Sequence, residues 1–318
     1  MTEIIDYAGL FPPASLDMHS AVQSWAGYQN ADHAWMLGRL IIPANRLEEF
    51  EQSVIEQSLT PNPEDTAWRI SALVALDSLN AQIDRIFEFN RTYAPPGSDA
   101  PPSATTESAA GGELILPGAS GGIVVDAIEL KVADPTDIDR AMRIIPEQLE
   151  PYFELPPDAD ERGFLAAIAG TGGRAKIRTG SVHAPEIPTP LRVASFIAAC
   201  GASNVAFKAT AGLHHPIRAE YPLTYDDAPP TGILFGFLNV FLAAAFAQQH
   251  RLVADDLVGI LEETDRAAFR FDETGVQWRS LNLTTAQLAR ARESFATSFG
   301  SCSFEEPVTD LLSMNLLV

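Results

Sequence analysis

The stretch IVVDAIELKVADPTDIDRAMRII, residues 123–145, decides how the fold is read. Its first half is a strand-like apolar run that takes in Asp126, Glu129 and Lys131. Its second half begins with Asp134 as a helix N-cap and Pro135 at the first helical position, so a helix follows the strand at once. This is one strand–helix unit, and the chain repeats it in both directions.

Upstream, EIIDYAG and DMHSAVQSWAGYQ form a first pair, and AWMLGRLIIP with a helix starting near Asn45 a second. WRISALVAL and LNAQIDRIFEFNR form the third. Downstream, EPYFELPP precedes DERGFLAAIAGTG, RAKIRTGS precedes PLRVASFIAACGAS, and NVAFKATAGL precedes the apolar run 232–247 across a polar loop. Seven pairs in one register predict an α/β fold, an eightfold (β/α)8 TIM barrel in which residues 1–318 form one domain. SFGSCSF, 298–304, suits the closing strand, followed by helical EPVTDLLSMNLL. Two inserts are expected: a Pro/Gly/Ser-rich surface loop over 92–122, and helices with a hairpin over 251–296, where DETG in FRFDETGVQW is turn chemistry.

Composition narrows the function. A net charge of −21 repels phosphates and argues against nucleic acid or an anionic membrane as partner. No basic segment precedes an apolar stretch near Met1, and the run 232–247 is short for a bilayer and contains Asn239. That run is expected in the core or in a homo-oligomer interface. Two cysteines, Cys200 and Cys302, fit a reducing compartment, so a soluble cytoplasmic protein is expected.

The cations are unevenly chosen. There are eighteen arginines and only three lysines, Lys131, Lys176 and Lys208, each inside a strand-like run. Arginine serves wherever positive charge alone is wanted, but only an amine can shed its proton and attack a carbonyl. The lysines therefore read as chemistry, against the alternative of snorkelling side chains or structural ion pairs. Glu129 and Lys131 are two apart and face the same side of the fourth strand, and Glu154 ends the fifth, at the rim where barrel enzymes carry their sites. A buried ion-pair network would use the same residue types.

These residues also resemble a known family, the class I deoxyribose-phosphate aldolases and their barrel relatives. IDYAGLFPPAS resembles the family's opening strand, DAIELK its fourth-strand acidic segment with Glu129, and YFELPP its fifth-strand segment with Glu154. AKIRTG is similar to the sixth-strand Lys-Thr-Ser-Thr-Gly motif, which places the Schiff-base lysine at Lys176. FKATAGL is similar to the seventh-strand Lys-Ala-x-Gly-Gly segment, which places the assisting lysine at Lys208, with Gly212 as a substrate-binding residue. FGSCS is similar to the phosphate-binding turn, matched by Gly300, Ser301 and Ser303. Arg178 stands where the family has a small residue, and LHHP replaces a basic turn. The resemblance implies a carbon–carbon lyase working through a Schiff base on a small carbonyl substrate, phosphorylated or not, with no cofactor or metal. Lys131 would relay protons with Glu129, and Arg178, His214, His215 and Ser301 would hold the substrate.

Two other classes stay open. Glu129, Glu154, His214 and His215 could ligate a metal in a metal-dependent barrel enzyme, and a non-catalytic barrel could bind a small anion. GTGG, 170–173, is a helix stop rather than a phosphate loop. Cys302 reads as structural, since a reactive thiol needs a neighbouring base that the sequence does not reveal.

Overall fold

A computed structural model of the chain describes residues 1–61, 67–95 and 121–317. Eight strands close into a barrel: β1 Ile5–Tyr7, β2 Leu37–Pro43, β3 Trp68–Val74, β4 Ile123–Lys131, β5 Glu150–Glu154, β6 Arg174–Arg178, β7 Phe207–Thr210 and, last in sequence, β13 Ala296–Ser301. Each strand pairs in parallel with its neighbours, and β13 lies between β7 and β1, which completes the (β/α)8 barrel. Parallel neighbours require a crossover, and the helices supply it: α1 Met18–Tyr28, α2 Leu47–Glu56, α3 Leu79–Tyr93, α4 Pro135–Met142, α5 Glu161–Ile168, α6 Pro190–Ser203 and α7 Phe237–His250.

Local chemistry fixes where the helices begin. Asp17, Asp160 and Thr189 each accept a hydrogen bond from a first-turn backbone N–H. Asp134 does the same for α4, and the Asp137 side chain reaches back to the Asp134 N–H to complete a capping box.

The closing strand is β13 as read from SFGSCSF, but it starts two residues earlier, at Ala296. It ends at Ser301, because residues 302–304 turn into α10 Glu305–Ser313. The insert before it holds α8 Ala254–Leu261, the antiparallel strands β10 Phe269–Asp272, β11 Gly275–Trp278 and β12 Leu281–Thr284, then α9 Thr285–Ser294. The hairpin expected at DETG is present, with an additional third strand. The polar loop after β7 contains a ribbon of its own, β8 Ala219–Pro222 paired with β9 Thr231–Leu234. Most of the expected loop over 92–122 lies outside the described residues.

Every residue of α7 from Phe237 to Ala247 is buried, and the chain's own α6, α8, α9 and β13 cover it. Asn239, fully buried in this helix, donates to the Ile260 and Glu263 carbonyls and accepts from Arg218 N–H, which satisfies the amide without water. Among the described residues no helix is long and apolar enough to cross a membrane.

Candidate active site at the C-terminal end of the barrel

Seven side chains meet inside the barrel. Lys176 on β6 and Lys208 on β7 are register partners on adjacent strands, so both ammonium groups enter at one depth. Glu129 on β4 lies between them. Its Oε2 is 2.6 Å from Lys176 Nζ, and its Oε1 accepts from Lys208 Nζ at 2.7 Å and from Ser71 Oγ at 2.8 Å. Glu154 on β5 places Oε2 2.8 Å from Lys176 Nζ. Lys208 donates a second bond to Asp6 Oδ2 on β1 at 2.6 Å, and that same oxygen accepts from Ser298 Oγ at 2.7 Å.

Electrostatics follows from this packing. Burial alone would push the Glu129 carboxyl up, but the Lys176 and Lys208 ammonium groups outweigh it and hold Glu129 far below the usual carboxylate range. Burial opposes the charge on Lys208 too, yet the Asp6 and Glu129 carboxylates keep it protonated well beyond an ordinary lysine. Lys208 also sits over the Tyr152 ring, 5.1 Å from its centroid. The charge of Lys208 is thus offset by two carboxylates, and its influence on Lys176 passes through the shared Glu129.

The two lysines differ in access. Lys208 is fully enclosed, whereas Lys176, with Glu129 and Glu154, lines a cavity of about 1080 Å³ at the C-terminal ends of the strands. Lys131, expected to face the same side of its strand as the buried Glu129, stands instead at the rim of this cavity. Its side chain is 81 % exposed and its Nζ is 3.9 Å from Glu154 Oε1, because β4 ends there and leaves the residue in solvent.

Other predicted contacts divide in the same way. Arg178, His214, His215, Gly212 and Gly300 line the cavity. Arg178 is exposed, and among the described residues no carboxylate pairs with it. Gly212 has φ +77°, and a Cβ there would lie 2.8 Å from Gly180 Cα, so the turn after β7 requires glycine. Ser301 and Ser303 are not in the lining: Ser301 Oγ accepts from Ser303 N–H, and Ser303 Oγ accepts from Glu306 N–H. Their hydroxyls brace the start of α10.

The four side chains named for a metal are engaged separately. The carboxylates hold lysines, His214 Nδ1 lies 2.8 Å from Glu306 Oε2, and His215 Nδ1 lies 2.7 Å from Asp310 Oδ2. Among the described residues no group of three or more His, Cys, Asp or Glu side chains is placed to hold a metal ion.

Several residues of the site escaped the sequence reading. Asp6 carried the one available signal, a carboxylate in the otherwise apolar IIDY. Ser71, Ser298 and Tyr152 carried none. At the other end of the barrel a second network fills the interior. Arg39 and Arg69 both bind Asp126, each with a contact of 2.7 Å, Arg69 also reaches Glu3 at 2.7 Å, and Arg174 pairs with Glu150. Tyr152 donates its hydroxyl proton to Glu150 at 2.7 Å while its ring faces Lys208, so it divides the two networks. No family model, curated protein or solved structure matches this chain.

Proposed function

We propose that the chain is a carbon–carbon lyase that works through a Schiff base on Lys176, with a small carbonyl compound as substrate. One observation carries this reading: of two paired lysines at the same depth, only Lys176 reaches the cavity, and two carboxylates stand within 3 Å of its nitrogen.

In this reading Glu154 takes a proton from Lys176, and the free amine adds to the substrate carbonyl carbon. The carbonyl oxygen gains two protons and leaves as water, and the resulting iminium accepts the electron pair of the breaking carbon–carbon bond. A carboxylate of the site removes the proton from the β-hydroxyl, which becomes the released aldehyde. The enamine left on Lys176 is protonated on carbon, and water then frees the amine. Lys208, held charged, keeps Glu129 ionised throughout. Arg178 and Lys131 give the mouth positive charge for an anionic substrate group.

A non-catalytic binding barrel is favoured by one feature, the complete pairing of both inner lysines with carboxylates, which a structural ion-pair network would also show. Borohydride reduction in the presence of acetaldehyde or small ketones, followed by peptide mapping, separates the two. The lyase reading expects a reduced adduct on Lys176, and no adduct on any lysine would favour the binding protein.

A further inference from the structure

A second group of reactive side chains lines the same cavity, away from the lysines. Cys302, just after β13, places Sγ 3.9 Å from His214 Nε2, and His214 Nδ1 lies 2.8 Å from Glu306 Oε2. Glu306, in the first turn of α10, also accepts from the Tyr225 hydroxyl at 2.9 Å. All four residues line the cavity. A thiol, an imidazole that faces it through one nitrogen, and a carboxylate that orients the other nitrogen make an activated nucleophile. We infer that Cys302 is a second nucleophile of this cavity, activated by His214 and positioned through Glu306, and that it captures aldehydes as hemithioacetals.

The geometry supplies each part. Glu306 is held ionised by His214 and Tyr225 against the effect of burial, so His214 Nδ1 carries a proton toward it and Nε2 is left facing sulfur. Burial disfavours charge on His214, but its hydrogen bonds to Cys302 and Glu306 outweigh this and raise it to about 9. Nε2 faces Sγ and is the group that takes its proton as the sulfur attacks. Cys302 also lies three residues before Glu305, the first residue of α10, whose backbone dipole favours negative charge within about a turn. The remaining titratable groups facing the thiol are Tyr225, Tyr7 and Tyr28, all held as neutral phenols chiefly by burial.

Aldehyde addition is the step these groups complete alone. Sγ forms a bond to the carbonyl carbon, the π pair moves to oxygen, and oxygen takes the Nε2 proton, which leaves His214 neutral. Acyl transfer needs further donors for a developing oxyanion. Among the described residues the only other polar side chain in contact with Sγ is the Tyr225 hydroxyl, at 3.7 Å, and it already donates to Glu306. The inference rests on Cys302, His214 and Glu306 and holds whether or not Lys176 forms an imine.

The test uses the whole protein. Iodoacetamide at neutral pH, with peptide mapping, should alkylate Cys302 at least about tenfold faster than glutathione under the same conditions. Cys200, enclosed and with its thiol pushed up by burial, should stay unmodified. His214→Gln should slow Cys302 alkylation about tenfold, and Glu306→Gln should shift the pH profile of that rate upward. With [1-13C]acetaldehyde, the hemithioacetal resonance should vanish in Cys302→Ser and persist in Lys176→Arg. Were His214→Gln not to fold, the wild-type alkylation rate against glutathione still decides. Alkylation no faster than glutathione, or a resonance that follows Lys176 instead of Cys302, overturns the inference.

Discussion

The two ends of the barrel solve the problem of buried charge with different cations. At the N-terminal end, Arg39, Arg69 and Arg174 interlock with Asp126, Glu150 and Glu3. Toward the C-terminal end, Lys176 and Lys208 share Glu129, flanked by Glu154 and Asp6. A planar guanidinium holds carboxylates through several fixed N–H groups and keeps its proton under all ordinary conditions. An ammonium is a compact point charge whose proton can be removed. The guanidinium end is thus suited to holding the strands in place, and the ammonium end to changing charge beside the cavity. Tyr152 keeps the two apart, with its hydroxyl in one network and its ring in the other.

Exchanging cations between the ends should have the largest effect. Lys176→Arg should abolish borohydride trapping while the protein stays folded, whereas Lys208→Arg should retain part of it, since charge remains beside Glu129. Trapping that survives in Lys176→Arg and disappears in Lys208→Arg would exchange the roles of the two lysines. Next in size is Glu129→Gln, which leaves two buried ammonium groups short of a counter-charge. It should destabilise the fold by about 3–5 kcal/mol in urea denaturation, and a loss below about 1 kcal/mol would show that the network is not the electrostatic centre described above. Arg39→Lys should cost less, about 1.5–3 kcal/mol, by losing the two-nitrogen grip on Asp126, and it should leave trapping on Lys176 unchanged.

The barrel itself was legible because each strand run is followed promptly by a capped helix, and that alternation needs no knowledge of contacts. Lys176, Lys208, Glu129 and Glu154 could be picked out because ionisable groups are costly inside strands. What the sequence concealed was register. β3 pairs Ile70 with Val125 but Ser71 with Ala127, so β4 carries one extra residue at Asp126. That slip lets Asp126 and Glu129, three apart, both contribute to the barrel interior, which strict alternation forbids. Asp6 was hidden by the brevity of β1, too short to show a period. The base for Cys302 was hidden by distance along the chain, since His214 is 88 positions away and only the adjacency of β7 and β13 brings them together.

The smallest predicted effect concerns that last pair. In the folded protein His214 is raised from 6.5 to about 9, so its hydrogen bonds to Cys302 and Glu306 stabilise the fold fully below the unfolded value and lose that contribution as pH rises through about 9. The Tm should fall on going from neutral to alkaline pH, by on the order of 2–4 °C more in the wild type than in His214→Gln. Parallel Tm curves for the two proteins would remove His214 from the account.

The placement of β13 has a consequence for how the protein is made. It is the last of the eight barrel strands to be synthesised, and both β1 and β7 wait for it as unpaired edges. A nascent chain that already carries Lys208 therefore lacks Ser298, the partner that completes the seat of Asp6. The barrel can close only when synthesis has passed Ser301, so a ribosome stalled within the 251–296 insert holds seven strands with exposed edges. Such an intermediate is a natural client for a chaperone that shields unpaired strands. A circular permutant that opens the chain within that insert would begin with β13 and carry β1 just behind it, so this pairing would form early in synthesis.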